Sequence, residues 1–310
     1  MLQHFNQIPR GTIMNIQESI KARLKNRAIK ENRTFQEVLT IYGLERMLYR
    51  LSISSYAKHC VLKGGILLYA MYKGKYMRGT ADVDLLGQFV SNDLDTIKNS
   101  FIEIFNIPFE EDGISFDISS LKASRIAEFK KYPGINISID GYLSKTKISV
   151  QIDIGFGDVV YPEIKTLDYP TLLDLPAPTI QTYSKESIIA EKFHAIVSLG
   201  YANTRMKDFY DIYVLLNTYD FDRKTLREAI IETFGNRSTS FNKISAFEDG
   251  FASDPYKKGI WSSFIKAKKV TLNVELDLII DAIKNFLKPV LDDKINDISF
   301  QWNHVNLIWE

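Results

Sequence analysis

Asp82 and Asp84 stand one residue apart in RGTADVDLLG, and a third aspartate, Asp153, lies in VQIDIGFGD. Side chains alternate along an extended strand, so Asp82 and Asp84 share one face while Val83 takes the other. In the second stretch Val150, Ile152 and Ile154 alternate against Gln151 and Asp153 in the same way. If the two strands are neighbours, three carboxylates converge, and one or two divalent cations relieve their repulsion. Cations held like this activate an attacking hydroxyl and stabilise a phosphate under displacement. Taken alone, Asp-x-Asp is equally a turn former or a surface charge. The residues ahead of it favour the chemistry. Gly64 and Gly65 open the apolar run ILLYAMY, and Lys73, Lys75 and Arg78 crowd the link to the aspartates. Bare amides at a helix N-terminus suit a phosphate anion. A triphosphate held beside cations is the arrangement that nucleotidyl transfer needs.

These residues require a sheet to carry them and helices to cover it. The chain has 310 residues and is 45% hydrophobic, enough for a sizeable core and about two domains. Lys plus Arg number 39 against 38 Asp plus Glu, so recognition of a polyanion has to come from local patches. The single cysteine, Cys60, excludes an intrachain disulfide and a CxxC metal site. No stretch reads as a signal peptide or a membrane span, so a cytoplasmic protein is expected. Asn15 to Glu18 and Thr34 to Glu37 have capping-box spacing, each opening a helical segment. Residues 61–63 read as extended, 66–73 as a short helix, 80–86 as a strand, and NISIDGYL and KISVQIDIGFGDVV as further strands. From Ser184 onward the periodicity is helical, in SKESIIAEKFHAIVSLG, RMKDFYDIYVLLNTY, KTLREAIIETFG and NVELDLIIDAIKNFL. The resulting expectation is an α+β protein: N-terminal helices over 1–55, a core with a central mixed β-sheet over 56–170 and a C-terminal helical domain over 171–310.

Two features of the helices bear on function. Lys192 falls in line with Ile188, Ile189 and Ile196, and Asp208 and Asp211 with Ile212 and Leu215, so all three charges point to the core side. The lysine either snorkels to water or serves a phosphate, and the aspartates either cap their helix or take part in a site. His194 reads as exposed and without a catalytic part, and His4, His59 and His304 are isolated. Residues 256–269, YKKGIWSSFIKAKK, hold five lysines beside Tyr256, Trp261 and Phe264, a mixture that suits RNA, with Trp261 placed to stack on a base or simply to fill the core. KASRIAEFKKY at 122–132 and the helix face over 21–33 are basic too, and either could be an ordinary solvated surface.

The order GG, DxD and a later strand aspartate resembles the polymerase-beta-like nucleotidyltransferases. ERMLYRLSIS, VLKGGILLYA, RGTADVDLLG, VQIDIGFGD, ESIIAEKFHAIVSLG and RMKDFYDIYVLL together resemble the AbiEii toxin family of that superfamily. The resemblance implies that Asp82, Asp84 and Asp153 hold Mg2+ or Mn2+. It also implies that Lys63, Gly64, Gly65, Arg78, Thr80, Lys192 and Asp208 bind the nucleotide. Lys192 of the EK motif and Asp211 of the KDxxD motif are then needed for toxicity. It further implies an NTP substrate, an RNA acceptor of the tRNA class, pyrophosphate as product, growth arrest in phage defence, and an antitoxin encoded nearby. Transfer to a small hydroxyl compound, or NTP and RNA binding without turnover, are the alternatives. Ile66 follows the glycines where many relatives carry a small hydroxyl residue, which leaves the loop with backbone donors only.

Overall fold

The computed structural model describes residues 10–75, 79–88, 91–126, 133–268, 270, 274–292 and 300–310, with side chains from residue 16 onward. It divides into two units, one running through Gly157 and including Thr166–Thr182, the other formed by Asp158–Lys165 and Tyr183–Glu310.

In the first unit, α1 (Arg10–Lys30) begins five residues before Asn15, so the cap expected at Asn15 falls inside the helix. Extending a helix already nucleated adds one hydrogen bond per residue fixed, and nothing in Gly-Thr-Ile-Met interrupts that. The second expected cap forms at the head of α2 (Phe35–Ser52): Thr34 Oγ1 accepts from the Glu37 amide at 3.1 Å and the Glu37 carboxylate accepts from the Thr34 amide at 2.7 Å. Val38, Leu39, Ile41, Tyr42, Leu48 and Leu51 of α2 are buried. Each contributes about 1.5 to 3 kcal/mol by leaving water.

Helix α2 lies on a seven-stranded mixed sheet built from β1 (Cys60–Lys63), β2 (Val83–Gly87), β3 (Ile114–Ile126), β4 (Gly134–Leu143), β5 (Thr146–Phe156), β6 (Lys165–Asp168) and β7 (Thr179–Thr182), in the order β3-β4-β5-β2-β1-β7-β6. β2 and β5 run parallel, as do β1 and β7; β1 with β2 and β3 with β4 with β5 are antiparallel. Ile135, Ile137 and Ile139 of β4 and Ile148, Val150, Ile152 and Ile154 of β5 point into the core, while the alternate residues form a polar face. Gly43 sets how closely α2 approaches: a Cβ there would meet Ile148 Cγ2 at 2.5 Å. Gly43→Ala would force helix and sheet apart. α3 (Gly64–Met71) follows β1 without a linker, and α4 (Leu94–Phe105) is capped by Asp93, which accepts from the Thr96 amide at 2.8 Å.

The second unit contains α5 (Lys185–Leu199), α6 (Met206–Leu216), α7 (Arg223–Asn236), α8 (Pro255–Ala267) and α9 (Leu276–Leu291), with a small sheet of β8 (Phe221–Asp222), β9 (Gln301–Asn303) and β10 (Ile308–Trp309). The expected helices are present. The small sheet, β3 and α4 were not anticipated from the sequence. Among the described residues no helix is long and apolar enough to cross a membrane.

Candidate active site

The register of the large sheet assembles the carboxylates. Parallel pairing of β2 with β5 sets Asp84 directly beside Asp153, antiparallel pairing of β4 with β5 sets Asn136 on the other side of Asp153, and β1 brings Lys63 beside Asp84. Cross-strand partners share a face, so Asn136, Asp153, Asp84 and Lys63 form one row across four strands. The strand expected from 80 begins only at Val83, and Asp82 lies in the bend before it. That bend still delivers its carboxylate, because Thr80 Oγ1 donates to Asp82 Oδ1 at 2.9 Å. One oxygen from each of Asp82, Asp84 and Asp153 lies within 4.8 Å of the other two, and all three residues are half-buried. Arg78 lies outside the described residues.

Two unit charges at that separation repel by roughly 3 kcal/mol at an effective dielectric of about 20. Asn136 Nδ2 donates to Asp153 Oδ1 at 2.6 Å, and with the Thr80 hydroxyl it returns about 1.5 to 3 kcal/mol per charged hydrogen bond. Three repulsive pairs exceed two such bonds. The donor set therefore fits a hard divalent cation, whose bonds of about 2.0 to 2.6 Å span oxygens this far apart.

Gly64 makes the row possible. Its φ is +70°, and a Cβ would lie 1.8 Å from Asp84 Oδ2. The Asp84 carboxylate thus rests on bare backbone where β1 turns into α3. Gly64 and Gly65 are the first two residues of that helix, so their amides are among those that no carbonyl of an earlier turn accepts.

The second unit holds another charged cluster. Lys192 on α5 binds Asp211 Oδ2 at 2.5 Å and Asp208 Oδ1 at 3.5 Å, and Arg205 Nε binds Asp208 Oδ2 at 2.8 Å. Asp211 is fully buried and Asp208 nearly so. The lysine does not run out to water; it neutralises two aspartates that burial would otherwise penalise. Beside it on α5, Glu191 accepts from Arg237 Nη2 at 2.6 Å, and the same nitrogen donates to Asp158 Oδ1 at 2.7 Å. Burial works against the Arg237 charge, but Glu191 and Asp158 outweigh it and hold its pKa above the ordinary value. His194, read as exposed, is half-buried: its Nδ1 lies 3.2 Å from Arg237 Nη1 and its Nε2 2.9 Å from Thr239 Oγ1. Sequence periodicity carried no signal for Arg237, whose partners are remote in the chain. Asn136 was missed for a similar reason, since only the β4–β5 register reveals it.

Within the lysine- and aromatic-rich segment, Trp261 and Lys257 turn inward. Trp261 is buried, donating from Nε1 to the Val274 carbonyl at 3.0 Å and packing on Phe264, so it belongs to the core of its unit and is not available to stack on a base. Lys257 is buried as well, and its ammonium donates to the carbonyls of Tyr201 at 2.5 Å and Asn203 at 2.9 Å; burial lowers its pKa, with Asp254 opposing. Lys266 and Lys268 remain exposed, and Lys269 lies outside the described residues.

A sequence profile of the nucleotidyl transferase AbiEii toxin family, type IV toxin–antitoxin systems, matches residues 46–294. No match is found among curated proteins. Among solved structures, a candidate nucleotidyltransferase from H. pylori is 17% identical, covering 81% of this chain and 96% of its own, with a TM-score of 0.43. JHP933 from Helicobacter pylori is 15% identical, covering 80% and 91%, with a TM-score of 0.41.

Proposed function

The chain belongs to the AbiEii nucleotidyl transferase toxin family, and from that premise we propose that it transfers a nucleotide from an NTP to the 3′ end of an RNA of the tRNA class, arresting growth until a cognate antitoxin intervenes. The observation that carries this reading is the carboxylate cluster of Asp82, Asp84 and Asp153 beside the turn at Gly64. Mg2+ or Mn2+ held by the three aspartates would supply charge neutralisation at the α-phosphate and a more acidic acceptor hydroxyl.

The remaining work falls to the residues of the chain. The Gly64 and Gly65 amides, with Lys63 paired to Asp84 across the strands, would receive the anionic tail. Asn136 and Thr80 fix the orientations of Asp153 and Asp82, so the donor set is arranged before substrate arrives. In the proposed step the acceptor 3′ oxygen bonds to the α-phosphorus and the bond to the bridging α–β oxygen breaks. Pyrophosphate leaves with that electron pair, and the hydroxyl proton passes to solvent or a base. The family resemblance also assigns Lys192 to the nucleotide; in the second unit Asp208 and Asp211 hold its ammonium.

The test is transfer of label to total RNA from α-labelled and from γ-labelled NTP, each with divalent cation and with chelator. The reading expects incorporation from the α-label only, abolished by chelator. Incorporation from the γ-label would replace it with a phosphotransferase, and labelling of a small hydroxyl compound in place of RNA would remove the RNA acceptor.

A further inference from the structure

We propose that the polar face of β3, β4 and β5 is the seat of the acceptor strand's last nucleotides, a reading that rests on the RNA transfer proposed above. A groove of about 380 Å³ opens on that face, lined by Ser120, Lys122, Ser138, Asp140, Lys147 and Ser149, together with Gln151. It shares the face of the carboxylates. Along β5, Asp153, Gln151 and Ser149 point the same way, and the register pairs them with Asn136, Ser138 and Asp140 of β4; Lys122 of β3 pairs in turn with Ser138. Each step of two residues advances about 6.6 Å. The groove therefore starts one step from the Asn136–Asp153–Asp84 row and continues away from it.

The direction of the reaction chooses the occupant. In a phosphoryl displacement the attacking and leaving oxygens lie roughly in line on opposite sides of phosphorus. The strand order β3-β4-β5-β2-β1 puts the Gly64–Gly65 turn on one side of the Asp84 and Asp153 pair and the groove on the other. With the triphosphate tail leaving toward the glycines, the attacking hydroxyl enters from the groove. The lining agrees: three hydroxyls, an amide and two ammoniums, beside the Asp140 carboxylate, can hydrogen-bond riboses and phosphates, and no aromatic ring is among the described lining residues to stack a base. Lys147 is partly neutralised by Asp140 at 2.7 Å, whereas Lys122 is exposed on the edge strand β3.

The test combines Lys122→Gln with Lys147→Gln, and uses Gln151→Ala as a second, uncharged variant; all three side chains are exposed, and thermal melting checks the fold. Affinity for deacylated tRNA is measured at two salt concentrations, affinity for a non-hydrolysable NTP is measured separately, and transfer to tRNA is followed alongside. The double-lysine variant is expected to bind tRNA about tenfold more weakly at low salt. Its slope of log affinity against log salt should fall by about 1.4, for two single-strand phosphate contacts. NTP affinity should not change, and Gln151→Ala should raise the KM for tRNA without moving the salt slope. If wild-type protein transfers to tRNA while both variants match it in affinity, slope and KM, the groove is not the acceptor seat. Loss of NTP affinity in step with tRNA affinity would assign the groove to the nucleotide and overturn the proposal. If wild-type protein transfers to no RNA, the underlying reading fails, an outcome seen before any variant is made.

Discussion

Gly64→Ala is the smallest change that should disable the site while sparing the fold. The new methyl carbon would be built 1.8 Å from Asp84 Oδ2, 2.6 Å from its Cγ and 2.8 Å from its Cβ. Real contacts of this kind stay beyond 3.0 Å, so the carboxylate has to retreat by more than about 1 Å, a misplacement that can cost roughly 100-fold in rate. The backbone adds its own strain, because alanine at a φ of +70° costs about 1 to 2 kcal/mol. The variant should thus melt slightly lower and lose transfer at least 100-fold, with divalent-cation affinity falling alongside. Gly79→Ala is the matched control: it lies in the segment leading to Asp82, and a Cβ there meets no atom of the described residues within 4 Å. Melting, calorimetric titration with Mn2+ and incorporation from α-labelled NTP read the three quantities. A Gly64→Ala protein with wild-type transfer would refute the placement of Asp84 against this turn as a catalytic requirement.

Lys192→Met should destabilise its unit by about 3 to 5 kcal/mol, since it strands Asp208 and Asp211 as buried charges; adding Asp211→Asn should recover part of the loss in denaturant titration. Trp261→Ala should cost about 3 to 5 kcal/mol by the same measurement, lowering NTP and RNA binding together where a stacking residue would lower only the latter. Burial raises the Glu45 carboxyl from 4.5 to about 7 against the pull of Arg46. The folded state therefore holds a proton that the unfolded state releases, and stability falls as pH rises from about 4.5 to 7. Glu45→Gln should remove up to about 1.4 kcal/mol per pH unit of that slope, and an unchanged slope would show that Glu45 titrates normally.

The parts of the fold and site set by local spacing were legible in the sequence. The Thr34 cap, the alternation that put Asp153 on a polar strand face, and the turn from β1 into α3 at the glycines depend on neighbours within a few residues. The core-side alignment of Lys192, Asp208 and Asp211 also followed from the helical repeat, but their mutual pairing did not, because it depends on how α5 meets α6. Long-range register was invisible. Asn136 stands 17 residues from Asp153 and shows its role only once β4 pairs with β5. Strand β3 escaped notice because ISFDISSLKASRI is an edge strand that buries only Ile114 and Leu121 and has a register shift between Asp117 and Lys122, which blurs alternation. Composition misled at 256–269, where lysines and aromatics suggested a nucleic-acid surface although Lys257 and Trp261 turn inward.

We hold that the Asp82, Asp84 and Asp153 carboxylates form a cation-dependent nucleotidyl transfer centre at the edge of the β2–β5 pair. Asp84→Asn tests it most directly when melting without divalent cation and α-label transfer with it are measured on the same preparation. Removing one of three mutually repelling charges should leave the cation-free melting temperature unchanged or higher, while transfer falls to background. A lower melting temperature with transfer at the wild-type rate would make Asp84 a structural residue with no part in transfer.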